Sequence, residues 1–130
     1  MLALLYTLFG IGFLLFIHEG GHFLAARYAG VRVDVFSLGF GPRLWGFRRG
    51  DTDYRICAIP LGGYVKMKGE ELGEETNEEG SFSAAPPHHR LLIAFAGPFF
   101  NFLFALAIYV FVYMAGVETI GPVIGTVKTN

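Results

Sequence analysis

Two apolar runs frame this chain, and a polar stretch separates them. Met1–Ala26 holds one charged side chain, Glu19, and Leu91–Ala115 holds none. As helices at ~1.5 Å per residue they extend roughly 39 and 37 Å. Both exceed the ~30 Å hydrocarbon core, so both are predicted transmembrane helices with some tilt. Between them, Val31-Arg32-Val33-Asp34-Val35 alternates strictly, the period of a strand. Leu38–Gly50 is rich in Gly and contains Pro42, a pattern that predicts a tight turn. Thr52–Met67 alternates again until Pro60 and Gly62-Gly63, which predict a bulge or bend. Val31–Met67 is therefore read as a small β element between two membrane helices.

Lys68–Gly80 carries Glu70, Glu71, Glu74, Glu75, Glu78 and Glu79 with almost no apolar residue, the composition of a solvated, mobile loop. Pro86-Pro87 and His88-His89-Arg90 lead back to the membrane interface. After the second run, Gly121–Val127 alternates briefly like a first strand. The expected division is 1–26 (first transmembrane helix), 27–67 (β element), 68–90 (acidic loop and re-entry segment), 91–115 (second transmembrane helix) and 116–130. No internal repeat is visible.

Composition supports this reading. The hydrophobic fraction is 53%, and the formal net charge of −1 gives no basic signature for nucleic acid. Nine of the ten Lys/Arg lie from Arg27 to Arg90, and only Lys128 follows the second run. The positive-inside rule then places the central loop in the cytoplasm and both ends outside. A secretory signal peptide needs a basic leading segment and a shorter apolar core, and Met1–Gly12 has no basic residue. Cys57 is the single cysteine, so no internal disulfide forms, and its spacing reads as a small apolar strand residue.

The chemistry sits in His18-Glu19-Gly20-Gly21-His22. H-E-x-x-H on a helix places two imidazoles at i and i+4 with a carboxylate beside them. On a helical wheel His22 lies about 40° from His18, and Glu19 about 60° beyond His22, so all three can address one point. Two neutral imidazoles make zinc ligands, and Glu19 can take a proton from water that zinc has acidified. Ionisable groups inside a membrane segment are costly and point to function by default. The motif lies five to nine residues before Arg27, hence roughly 8–13 Å inside the cytoplasmic edge. Gly20-Gly21 costs about 1 kcal/mol per residue against Ala in a helix, which a metal or a close helix crossing at small Gly21 and Ala25 would justify.

A catalytic zinc site has three protein ligands and a water. The remaining candidates are Asp34, Asp51, Asp53, His88, His89 and Cys57, all outside the apolar runs, and none has a commending spacing, so a third ligand is expected beyond Asn130 or from another subunit. In the second run Pro98 removes a backbone donor, and Ala94, Gly97, Asn101 and Ala105 form a small-residue stripe. Asn101 is the only strongly polar side chain there. Its two readings are an interhelical hydrogen bond and a substrate-binding group near the metal. A competing reading of the whole chain is a non-enzymatic membrane module that handles a metal or a proton through Glu19.

Four motifs in order add a further layer. His18-Glu19-Gly20-Gly21-His22 resembles the H-E-x-x-H of the site-2 protease family of intramembrane zinc metalloproteases. Phe36-Ser37-Leu38-Gly39-Phe40-Gly41-Pro42 and Ile59-Pro60-Leu61-Gly62-Gly63-Tyr64-Val65-Lys66-Met67 resemble two signatures of its bacterial regulator-of-sigma-E protease branch. Ala96-Gly97-Pro98 with Asn101 is similar to the second-helix motif of that branch.

The resemblance implies an α-helical, multi-pass protein of the bacterial inner membrane. Its two spans flank a membrane-associated β element, and a PDZ-like domain begins within 116–130. It implies an endopeptidase that cuts transmembrane segments of partner proteins, such as an anti-sigma factor, with Zn2+ on His18 and His22, Glu19 as catalytic carboxylate and Asn101 in substrate handling. The β element is implied to hold substrate in extended form. The family's third ligand is an Asp in a Leu-Asp-Gly motif, and no Leu-Asp-Gly occurs here. The resemblance therefore implies an N-terminal fragment whose third ligand lies beyond Asn130.

Overall fold

The computed structural model describes residues 1–74 and 76–117. Its order is α1 (Leu2–Tyr28), β1 (Val33–Arg49), β2 (Thr52–Met67) and α2 (Pro87–Ala115). The expected start of a PDZ-like strand at 121–127 lies outside the described residues.

α1 and α2 are 27 and 29 residues, each long and apolar enough to cross a membrane. Their outward side chains are apolar and open, for example Phe9, Phe102 and Phe111. These are surfaces that a bilayer would cover, and water would not stabilise them. α2 begins a turn earlier than the apolar run, at Pro87. Proline suits the first helical position because its missing N–H is one that the helix would leave unpaired anyway. His88, His89 and Arg90 thus sit on the first turn of a continuous helix.

The helices cross where side chains vanish. A Cβ on Gly21 would lie 2.5 Å from the Ala96 carbonyl oxygen and 3.1 Å from Phe100 Cβ. Only glycine permits that approach, which accounts for Gly21. Gly20 has open space around it. The contact face of α2 is Ile93, Ala96 and Gly97. Of the expected stripe, Gly97 is buried and Asn101 half-buried, while Ala94 and Ala105 turn outward.

β1 and β2 pair in one sheet, antiparallel along Lys66–Gly63 and in the hairpin to Trp45–Arg49. Both strands bend, so Val35–Leu38 lies between two parts of β2. Its partners descend along Lys66–Gly63 on one side and ascend along Asp53–Ile56 on the other. Trp45–Arg49 then pairs back on Ile56–Thr52 as a hairpin. The expected turn over Leu38–Gly50 is thus largely strand. Its glycines act as kinks within a long strand: Gly39 and Gly41 have φ of +84° and +81°. A Cβ on Gly39 would lie 2.6 Å from the Ile59 carbonyl oxygen. Sequence composition marks such positions as loop, whereas the local backbone requirement is a bend in a paired strand.

The core is small and lies where the C-terminal end of α1, the strand ends and α2 meet. It comprises Ala25, Ala26, Val31, Val33, Met67, Ile93 and Ala96. Phe36 ties the sheet to α1, with its ring 5.3 Å from Phe23 and 6.0 Å from Phe16, both nearly edge-on. Such pairs add about 0.5–1.5 kcal/mol beyond area burial. Thr52 Oγ1 donates to the Val33 carbonyl at 2.8 Å, closing the sheet beneath them. The acidic segment folds back on the sheet: Glu71 and Glu74 pair with Lys66, Glu78 pairs with Lys68, and Glu70 accepts from the Met67 amide.

Candidate metal centre

Helical periodicity stacks His18 and His22 on one face of α1, one turn apart. Their rings are 4.8 Å apart and steeply inclined, at 77°. What they point at is decided by α2. A Cβ placed on Gly97 would lie 2.6 Å from His18 Nε2 and 2.5 Å from His22 Nε2. Both nitrogens therefore converge on one small space, and the absent side chain of Gly97 leaves it open. Zinc sits ~2.0–2.1 Å from imidazole nitrogen. One ion within reach of both Nε2 atoms would lie beside Gly97, whose missing side chain leaves the two nitrogens uncovered.

The opposite ring nitrogens are held by α2. His22 Nδ1 is 2.7 Å from the Ile93 carbonyl oxygen, which can only accept, so Nδ1 carries the proton and Nε2 presents its lone pair. This is how metal-binding histidines are usually fixed in tautomer and orientation. His18 Nδ1 faces the Asn101 side-chain amide at 3.2 Å. Asn101, singled out as the polar residue of the second run, thus contacts a candidate ligand directly.

Glu19 is half-buried and faces the sheet. Its Cγ would lie 3.7 Å from a Cβ on Gly63, and its carboxylate meets the Val65 backbone amide. Gly63–Met67 pairs with β1 along one side only. The proposed base and a strand edge are therefore neighbours.

Among the described residues no three His, Cys, Asp or Glu are grouped to hold a metal. The other candidates are engaged elsewhere. Asp53 accepts from Arg55 Nε at 2.8 Å and Arg43 Nη1 at 3.3 Å, and the Arg55 hydrogen bond, then the Arg43 charge, hold its carboxyl below the usual range. Asp51 pairs with Arg32 at 3.5 Å. Cys57 is buried with its Sγ 3.3 Å from Ser37 Oγ. His88 and His89 pack edge-to-face on each other, with ring centroids 4.5 Å apart, at the start of α2. Asp34 lies on β1, away from the α1–α2 crossing.

Two contributors were not legible in the sequence. Gly97 stood out only as a small residue, and nothing in its spacing showed that it faces both imidazoles. The Ile93 carbonyl has no side-chain signature at all.

Comparison with known proteins places the chain in a family. The model of peptidase family M50 matches residues 6–129. A Helicobacter pylori protein named as a candidate zinc metalloprotease is 46% identical over 127 residues, covering 92% of this chain and 36% of its own length. The Yersinia pestis protease RseP is 44% identical over 137 residues, covering 98% and 30%. The Salmonella typhimurium regulator of sigma-E protease RseP is 43% identical over 140 residues, covering 100% and 30%. The chain spans about a third of the length of these relatives. The resemblance to site-2 proteases of the regulator-of-sigma-E branch is borne out, and this chain belongs to peptidase family M50.

Proposed function

We propose that this chain carries the first two zinc ligands and the catalytic carboxylate of an intramembrane endopeptidase that cuts transmembrane segments of partner proteins. The observation that carries the reading is the convergence of His18 Nε2 and His22 Nε2 on the space above Gly97, with Glu19 on the same helix. Zinc, when bound, supplies Lewis acidity at that point. His18 and His22 hold it, and Glu19 accepts and returns the proton of the attacking water.

The strand edge at Gly63–Met67 supports a substrate role for the sheet. A transmembrane helix hides its peptide bonds in its own hydrogen bonds. An unwound segment paired along a strand edge presents an extended backbone. Here that edge runs beside Glu19. The substrate is a membrane-inserted protein segment, and an anti-sigma factor is the candidate that the sigma-E relatives suggest. Asn101 handles substrate or ligand from the α2 side. The positive charge between the helices, Arg27 to Arg90, supports a cytoplasmic central region in a bacterial inner membrane.

The third ligand is expected beyond Asn130. The test is zinc content and cleavage of a transmembrane model substrate in detergent. This chain is compared with a form extended through the following hydrophobic segments, each with Glu19→Gln as control. Stoichiometric zinc and cutting in the extended form, with Glu19→Gln keeping zinc and losing cutting, supports the reading. A folded extended form that binds no zinc and cuts nothing overturns it.

A further inference from the structure

We infer that Asn101 is a positioning residue for His18: its side-chain oxygen holds the His18 proton on Nδ1 and so keeps the Nε2 lone pair aimed at the space above Gly97. This rests on the metal reading above and goes beyond it, because it assigns Asn101 to the ligand.

The argument is one of hydrogen-bond polarity. For both imidazoles to offer lone pairs to one point, both must carry their proton on Nδ1. His22 meets that condition through the Ile93 carbonyl, 2.7 Å away. Among the described residues His18 Nδ1 has one partner, the Asn101 amide at 3.2 Å. With Asn101 Nδ2 toward the ring, Nδ2 donates, Nδ1 must accept, and the His18 proton moves to Nε2. That N–H would then point into the space where His22 offers its lone pair. In the same arrangement Asn101 Oδ1 is buried and has no hydrogen-bond partner among the described residues.

The two ends of an amide are nearly the same shape, so which end faces the ring is settled by the hydrogen-bond network. Turning the Asn101 amide brings Oδ1, an acceptor, onto His18 Nδ1–H. It gives Oδ1 a donor, leaves Nδ2 in the position without a partner, and restores the same tautomer to both histidines. The α2 backbone and one α2 side chain then act alike, each accepting from the outer nitrogen of one histidine. Outer partners of this kind commonly change metal affinity by 10–100-fold when removed.

The experiment is 15N NMR of this chain in micelles, labelled at histidine, at a pH above the imidazole range. Zinc affinity by chelator competition is measured beside it. In the unmodified chain His18 and His22 are both expected as the Nδ1–H tautomer. Asn101→Leu is expected to move His18, and not His22, to Nε2–H or a mixture and to weaken zinc about 10–100-fold. Asn101→Asp, whose oxygens only accept, is expected to restore both readouts. An unmodified chain with His18 as Nε2–H overturns the inference without any variant. So does Asn101→Leu that leaves the His18 tautomer and zinc affinity unchanged while His22 keeps its signals. Nδ1–H tautomers that answer to Asn101 in a chain whose extended form binds no zinc would sink the metal reading and leave the positioning role standing.

Discussion

The imidazole Nδ1 of His22 on α1 lies 2.7 Å from the backbone carbonyl of Ile93 on α2. The contact joins the metal motif to the second helix without any side chain from α2. It depends on the closeness of the helices, which depends in turn on Gly21 beneath the Ala96 carbonyl. The crossing and the tautomer of a proposed ligand are therefore one structural fact.

The crossing predicts opposite outcomes for adjacent glycines. Gly21→Ala places a methyl 2.5 Å from the Ala96 oxygen and is expected to destabilise the helix pair by about 1–3 kcal/mol. Gly20→Ala meets nothing within 4 Å and is expected to be neutral or to stabilise by up to about 1 kcal/mol through helix propensity. Reversible unfolding in mixed micelles separates the two. Equal effects would show that the crossing is not the reason for Gly21.

Gly97→Ala puts carbon 2.5–2.6 Å from both Nε2 atoms, covering the lone pairs that would hold the metal. Zinc affinity is expected to fall by more than about tenfold, since the added methyl blocks the approach to both lone pairs. Helix content by circular dichroism is expected to hold. Unchanged zinc affinity in a folded Gly97→Ala protein would place the metal elsewhere.

Phe36→Ala removes the ring that joins β1 to Phe16 and Phe23 of α1. Phe36 is 9% exposed, so the loss is expected to cost about 3–5 kcal/mol. Hydrogen exchange at the Ser37 and Tyr54 amides is expected to accelerate while exchange in mid-α1 is unchanged. Slow exchange retained at both strands would mean that the sheet stands without this anchor.

The hairpin is expected to weaken in acid. Asp53 has its carboxyl lowered in the fold, first by the Arg55 hydrogen bond and then by the Arg43 charge. A depressed carboxyl contributes above its unfolded value, about 3.9. That contribution is lost as pH falls through the lower folded value. Unfolding of the hairpin is therefore expected to be level from neutral pH to about 5 and to ease below about 4. Asp53→Asn is expected to flatten that dependence. A pH profile identical in Asp53→Asn and the parent would remove Asp53 from the account.

The sequence by itself determined the two long apolar helices, the β character between them and the three chemical groups on α1. Each follows from a local rule: run length against bilayer thickness, two-residue alternation, and helical spacing that stacks residues 18 and 22. It also marked Asn101, because one amide in an uncharged apolar run is conspicuous. It misread Leu38–Gly50, since glycine at positive φ looks the same in composition whether it ends a strand or kinks one. Only the tertiary structure decided that Gly97 faces both imidazoles, that a backbone carbonyl holds His22, and that Glu19 meets the strand edge at Val65. Those relations join residues about 45 to 80 positions apart. They depend on how two helices rotate and how closely they approach, which is set by packing across the crossing and not by the period of either helix alone.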